Sequence, residues 1–417
     1  MIVKPMIRSN ICINAHPAGC AREVERQIEW VSAKTASRAA SGKGNPQSGV
    51  SDLSETPAEG RPRPSAVLVL GCSTGYGLAS RITASFAYGA PTIGVSFEKE
   101  GSETKSGTPG WYNNRAFERA AAKAGIPSLT LNGDAFSDEV RAQVIEAAKK
   151  MDLQFDLVVY SLASPVRTDP DTGILYKSVL KPFGKPYTGL TVDPMTGKMS
   201  TMSADPATEE EAANTVKVMG GEDWERWIDR LGQAGVLASG CKTVAYSYIG
   251  PALSHAIYRD GTIGGAKKHL EKTAKGINER LAAEYGGGAW VSVNKGLVTR
   301  SSAVIPIIPL YLSVLFKVMK EKGTHEGCIE QIERLYAERL YAGGLVPVDA
   351  DGLIRIDDWE LDPAVQKEVD ARMEKITEEN LSEYADLAGY RHDFLAANGF
   401  DVEGVDYDAD VLRMDTI

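Results

Sequence analysis

No stretch of this sequence is apolar for long enough to cross a bilayer. The most apolar run, AVIPIIPLYLSVLF from Ala303 to Phe316, lies between Arg300 and Lys317 and holds two prolines. It falls short of the ~20 residues a spanning helix needs, so the expectation is a buried or substrate-covering helix and no membrane span. The opening MIVKPMIRSN lacks the apolar core of a signal peptide. Cysteine is sparse: five residues (Cys12, Cys20, Cys72, Cys241, Cys328) contain no CxxC pair, and an odd number cannot be fully paired. That pattern excludes a disulfide scaffold and implies a reducing, cytoplasmic setting. His16 lies between Cys12 and Cys20, but with no fourth ligand nearby in sequence no metal is expected. Positive charge is also in deficit, with 46 Lys and Arg against 56 Asp and Glu and a net charge of −10. General nucleic-acid binding, which draws on phosphate neutralisation, is thereby disfavoured.

The chain does have ample core material. It is 417 residues long and 43% hydrophobic, which allows one large α/β domain. Residues 1–34 read as a strand (Ile11 to Asn14), a turn at His16-Pro17 and an amphipathic helix through Val31. Thr35 to Pro64 is rich in Ser, Ala, Gly and Pro without hydrophobic periodicity, and reads as a loop. From Ala66 the pattern alternates. Apolar strands are predicted at Ala66 to Leu70, Thr92 to Phe97, Ser128 to Leu131, Phe155 to Tyr160, Thr243 to Tyr248 and Val291 to Asn294. Helices are predicted at Tyr76 to Tyr88, around Ala116 to Ala124, and at Asp138 to Lys150. Continuous apolar strands alternating with helices predict a Rossmann-like, doubly wound parallel sheet over residues 65–323. Residues 177–203 break the rhythm with Gly, Pro and Thr and read as an inserted hairpin. Residues 324–417 read as an acidic, mostly helical C-terminal part without a further βαβ series.

Gly71-Cys72-Ser73-Thr74-Gly75-Tyr76-Gly77 follows the first buried strand and opens the first helix. Glycines there permit a tight turn and bring backbone N–H groups to a pyrophosphate at the positive end of the helix. The second strand ends at Phe97-Glu98, where a carboxylate can accept both adenosine ribose hydroxyls and repel a 2′-phosphate, favouring NADH. The adjacent Lys99 counters that preference. Asp134-Ala135 follows the third strand and Ser161-Leu162-Ala163-Ser164 the fourth. Turns at successive strand ends line a dinucleotide crevice in such a sheet.

Tyr246-Ser-Tyr248-Ile-Gly-Pro251 ends a later strand, and Tyr258 precedes Lys267 by nine positions with Gly261, Gly264 and Gly265 between. Beside a nicotinamide, a lysine can lower a phenol's pKa and hold the ribose, while the phenol donates to an oxygen gaining charge. The bare pattern also suits an unrelated tyrosine and lysine, with Tyr248 filling core space. His255 reads as a structural histidine.

The Gly71 to Gly77 turn, Phe97-Glu98, Tyr246 to Pro251 and Tyr258-x8-Lys267 together resemble the FabV-class enoyl-acyl-carrier-protein reductases and their kin, the trans-2-enoyl-CoA reductases. The resemblance runs from Ile2-Val-Lys-Pro to Gly404-Val-Asp-Tyr-Asp-Ala-Asp410. It implies a monomeric, NADH-dependent enzyme that reduces the C2=C3 double bond of an enoyl thioester carried on coenzyme A or acyl carrier protein. It further implies Tyr258 as catalytic acid, Lys267 as a cofactor contact and Tyr248 as the ligand of the substrate carbonyl. Gly71 to Tyr76, Phe97, Glu98, Asp134, Ala135, Leu162, Ala163, Gly296, Leu297 and Val298 match the family's cofactor contacts. Thr299 opens the stretch expected to line the acyl pocket. Residues 35–64 exceed the family's usual link, and Cys72 stands where many relatives carry alanine. A carbonyl reductase would use the same crevice and the same Tyr/Lys logic, and a non-catalytic dinucleotide sensor would keep only the glycine turn and Glu98. Lys177, Lys181 and Lys185 could meet the phosphates of coenzyme A or an acidic carrier protein.

Overall fold

The computed structural model describes residues 2–8, 11–40, 63–102, 104–300, 302, 305 and 308–411. Its centre is a seven-stranded sheet, parallel at every pairing. From one edge the strands are Ile354–Arg355, Gly288–Val293, Leu237–Ser247, Phe155–Tyr160, Val67–Leu70, Thr92–Ser96 and Ser128–Asn132. The chain begins the sheet in the middle, winds outward to Ser128–Asn132, then returns and winds the other way. This is the doubly wound order, and its switch point lies between Val67–Leu70 and Phe155–Tyr160.

Alternation along each strand builds a core on both faces. Leu68, Leu70, Ile93, Val95 and Val158 face helices Asp138–Lys150, Glu222–Gln233 and Thr262–Tyr285. Val67, Val69, Leu157 and Val159 face helices Pro17–Ala40, Gly75–Tyr88, Pro109–Lys123 and Cys328–Leu335. Trp224 and Trp227 on one helix are wholly buried, their indole N–H groups donating to Thr243 Oγ1 and the Ala135 carbonyl. A third apolar cluster surrounds helix Ile308–Glu321, against which Val365, Val369, Tyr390 and Phe394 pack.

The sheet strands and the helix Asp138–Lys150 fall where the hydrophobic pattern puts them, within a few residues at most ends. Three differences have physical causes. The first helix runs from Pro17 to Ala40, not to Val31, so Thr35 to Ala40 is helix rather than loop. Thr35 is buried and its hydroxyl donates to the Val31 carbonyl, while Arg38 pairs at 2.5 Å with the buried Glu333. The rest of the expected loop, residues 41–62, lies outside the described residues. The hairpin expected within 177–203 is Tyr187–Val192 with Met199–Ala204, and a further antiparallel pair, Val166–Thr168 with Leu175–Lys177, precedes it. Finally, the C-terminal part is mostly helical but contributes the strand Ile354–Arg355 to the edge of the central sheet. Two residues carry no readable alternation; pairing with Ser292 and Val293 makes them a strand.

Candidate active site

The glycine turn sits at the switch point. Gly71 has φ +84°, and a Cβ there would lie 2.3 Å from the Ser161 carbonyl oxygen, so only glycine lets the two strand ends close together. In the first turn of helix Gly75–Tyr88, Gly77 would place a Cβ 1.9 Å from the Gly71 carbonyl oxygen. At Gly75 a Cβ would meet only the Thr299 side chain, no nearer than 3.5 Å, which leaves the space over the helix N-terminus open. That space fits the pyrophosphate of a dinucleotide, facing free N–H groups at the positive end of the helix. Leu162 lies against Gly71, and Thr299 closes the opposite side of the turn.

Glu98 carries a side chain only 7% exposed. It accepts a hydrogen bond from Ser73 Oγ at 2.7 Å and lies 3.4 Å from the Arg300 guanidinium. Gly110 leaves it room, since a Cβ there would lie 2.2 Å from Oε1. Its backbone is locked by paired bonds to Asn132. Phe97 beside it is 78% exposed, a free aromatic face. Asp134 turns inward on its own chain, accepting from Phe136 N, and the Ala135 carbonyl is held by Trp227. Cys72 is fully buried beside Arg81 and Asn114, and burial raises its thiol pKa. It is therefore an inert filler of the turn rather than an oxidisable group.

Tyr248, Tyr258, Gly264 and Lys267 line one cavity. The long Tyr-to-Lys spacing closes because the chain doubles back: Gly261 and Gly264 both donate to the Tyr258 carbonyl, at 3.3 and 2.9 Å. A Cβ on Gly264 would lie 1.7 Å from the Arg259 carbonyl oxygen. Helix Thr262–Tyr285 therefore starts directly against the turn and brings Lys267, in its second turn, to the tyrosine. The two phenol rings meet edge to face, 5.4 Å apart.

Burial pushes the Tyr258 phenol up to about 12 and the Lys267 ammonium down to about 8. Each shift has the same cause: burial penalises the charged form. Glu271 partly opposes the lysine's shift. Among the described residues Tyr258 Oη has no hydrogen-bond partner, and Lys267 Nζ has only the Tyr246 carbonyl at 3.4 Å. Two polar groups with unused capacity thus point into one cavity. His255 bonds the Gly250 carbonyl at 3.1 Å, a structural contact.

Several residues at the site had no signal in the local sequence. Glu360, fully buried, binds Tyr248 Oη, Tyr311 Oη and the N–H of Gly296. Lys295 is buried over the Phe316 ring, and its carbonyl accepts from Tyr76 Oη at 2.7 Å. Arg300 reaches Glu98. Residues 303, 304, 306 and 307 of the expected acyl-pocket run lie outside the described residues; Ile305 precedes the helix Ile308–Glu321, which holds the rest, with Ile308 to Phe316 buried.

Comparison with known proteins gives three family models in chain order. They are the NAD(P)H binding domain of trans-2-enoyl-CoA reductase over residues 2–103, the trans-2-enoyl-CoA reductase catalytic region over 105–341, and the enoyl reductase FAD binding domain over 348–411. The trans-2-enoyl-CoA reductase (NADH) of Treponema denticola is 64% identical over 418 residues, covering all of both chains. The enoyl-acyl-carrier-protein reductase (NADH) of Cytophaga hutchinsonii is 53% identical, covering 100% of this chain and 99% of that one. The crystal structure of the Treponema denticola enzyme in complex with NAD superposes with a TM-score of 0.91 over both whole chains.

The flavin in the third description does not fit the residues present. The strand Ile354–Arg355 is joined to helix Pro363–Met373 without a glycine, through Asp357, Asp358, Glu360 and Asp362. That segment offers no glycine turn to a pyrophosphate, its Asp357 and Asp358 are already paired with Arg355, Arg334 and Arg339, and the helices beyond pack on Ile308–Glu321 with apolar side chains. No step is assigned to a flavin.

Proposed function

This chain belongs to the trans-2-enoyl-CoA reductase family, and from that membership we propose how its own residues divide the work of reducing an enoyl thioester with NADH. The reaction saturates the C2=C3 bond of a trans-2-enoyl thioester. Bound NADH supplies the hydride delivered to C3. Gly71 to Tyr76 hold the pyrophosphate, Phe97 and Glu98 the adenosine ribose, and Asp134 and Ala135 the adenine side. Leu162, Ala163 and Gly296 to Val298 flank the nicotinamide end.

Negative charge develops on the thioester oxygen as C3 takes the hydride, and the resulting enolate is then protonated at C2, which completes the saturation. Tyr258 donates to that oxygen and Tyr248 binds it from the other side. Preorganised donors are worth most where such charge appears, in a site that excludes water. A phenol raised by burial stays protonated at neutral pH, as a donor must. Lys267 binds the nicotinamide ribose and keeps positive potential beside the oxygen. Thr299 and the helix Ile308–Glu321 form the acyl side of the pocket. The observation that carries this reading is the convergence of Tyr248, Tyr258 and Lys267 on one cavity.

The protein acts as a cytoplasmic monomer in this proposal; its five free cysteines suit a reducing compartment. No helix among the described residues is long and apolar enough to cross a membrane. Lys177 and Lys185 are exposed and Lys181 is paired with Glu211 at 2.6 Å, so the first two meet the carrier, be it coenzyme A or acyl carrier protein. The test is loss of NADH absorbance with crotonyl-CoA, run beside NADPH and beside acetoacetyl-CoA, with crotonyl-acyl carrier protein to compare carriers. NADH consumption on crotonyl substrates alone is expected. Reduction of acetoacetyl-CoA in its place would make this a carbonyl reductase.

A further inference from the structure

Glu360 lies 112 residues from Tyr248 in the chain, in the segment that follows the edge strand Ile354–Arg355. Its side chain is fully buried. An ionised carboxylate survives burial only where donors fill its lone pairs, and here three converge. Oε1 accepts from Tyr311 Oη at 2.7 Å and from Tyr248 Oη at 3.1 Å, and Oε2 accepts from Gly296 N at 2.6 Å. Gln366 braces the arrangement from behind, donating to the Glu360 carbonyl and to Tyr311 Oη.

Phenols have one proton. While Tyr248 donates it to Glu360, none is left for a thioester oxygen. A neutral Glu360 reverses that bond without disturbing the others: Oε1–H donates to Tyr248, Oε1 still accepts from Tyr311, and Oε2 still accepts from Gly296. Tyr248 is then free to turn its proton outward. We propose that Glu360 is a positioning residue for the reduction, deciding whether Tyr248 offers its proton to the protein or to the thioester oxygen. The proposal rests on the reading that Tyr248 meets that oxygen. No substrate bond is made or broken by Glu360; the proton it takes up comes from solvent and stays on Oε1.

Its surroundings suit a group that changes state. Burial raises the carboxyl pKa and Asp357 adds to this, while the Gly296 N–H, the Lys295 ammonium and Tyr311 act against it. Tyr248 and Tyr311 are themselves raised by burial and by the Glu360 charge, so both remain protonated donors. The C-terminal part of the chain thereby becomes part of the active site through one side chain, which also fixes the Gly296 backbone at the nicotinamide end.

The test is steady-state kinetics on the full chain across pH, with NADH affinity measured separately by fluorescence. Wild-type kcat should fall as pH rises through the Glu360 titration. Glu360→Leu should lower kcat at saturating NADH about tenfold or more. Glu360→Gln should restore most of the activity and remove the pH-dependent fall, because its amide can donate to the tyrosines while its carbonyl accepts from Gly296. Adding Tyr248→Phe to Glu360→Leu should cost little more than either change alone. Multiplicative losses, or a Glu360→Leu enzyme with wild-type kcat, would overturn the proposal while leaving Tyr248 its role. An unimpaired Tyr248→Phe single variant would overturn the reading of Tyr248 and Glu360 with it. Should Glu360→Leu not fold, Tyr311→Phe decides the matter. It removes a donor from Oε1 and should move the falling limb to higher pH; an unmoved limb refutes the proposal.

Discussion

Replacing Lys267 with methionine should make the apoprotein more stable and the enzyme worse. The lysine is held in a buried setting with one long hydrogen bond, and its pKa falls from 10.5 to about 8. At roughly 1.4 kcal/mol per tenfold change in proton affinity, a displacement of that size costs about 3 kcal/mol. The sign follows from which state binds the proton. Below pH 8 the folded protein carries the buried ammonium and the cost is complete. As pH rises from 8 towards 10.5 the folded lysine is neutral while the unfolded one still holds its proton, so folding gains stability across that window. Methionine matches the stem in volume and brings no charge. Urea denaturation of the apoproteins at pH 7 should therefore show Lys267→Met more stable by up to about 3 kcal/mol, with the gap narrowing by pH 10. NADH titration of the same samples should show weakened binding, the loss of function that accompanies relief of a strained site. A variant less stable than wild type at pH 7, or a gap unchanged at pH 10, would refute the argument that burial rather than a hidden anionic partner sets the lysine's state.

Three further outcomes follow from the geometry. Tyr258→Phe removes the hydroxyl that no protein group satisfies among the described residues, so kcat should drop about 10²-fold or more while NADH affinity, by fluorescence titration, stays near wild type; a fully active variant would remove Tyr258 as the acid. Glu98→Ala frees Arg300 from its 3.4 Å pairing, and, if that pair meets the adenosine ribose as proposed, the ratio of kcat/KM with NADPH to that with NADH should rise at least about tenfold. An unchanged ratio would place the selection elsewhere. Gly71→Ala sets a Cβ 2.3 Å from the Ser161 carbonyl at φ +84°, and should cost about 2 kcal/mol or more in urea denaturation together with NADH binding; a neutral result would mean that the two strand ends can separate.

Much of this protein was legible along the chain because its signals are local. A continuous apolar strand, a glycine turn and a helix behind it need only about twenty consecutive residues, and the sheet strands with their cofactor turns announce themselves that way. Helix Asp138–Lys150 is marked at its start by Ser137, whose hydroxyl accepts from Val140 N, with two acidic residues in the first turn and two lysines in the last. The Tyr-x8-Lys spacing was readable as a resemblance, but not as a geometry. Its convergence depends on Gly264 seating the next helix against the Arg259 carbonyl, a contact that no periodicity encodes.

What tertiary structure alone decided are the pairings between distant segments. Thr35 to Ala40 has a loop's composition, yet burial of Thr35 and the Arg38–Glu333 ion pair keep it helical. Ile354–Arg355 is too short to alternate and becomes a strand only by lying beside Ser292 and Val293. Glu360, flanked by Trp359 and Leu361, reads as one more acidic residue in an acidic stretch. Folding buries it against Tyr248, Tyr311 and Gly296, because a buried carboxylate must find its donors wherever the chain brings them. The cofactor fold is thus written locally, in patterns of hydrophobicity and glycine. The chemistry around Tyr248 is written in contacts between distant segments, one of them spanning 112 residues, which only the assembled core brings together.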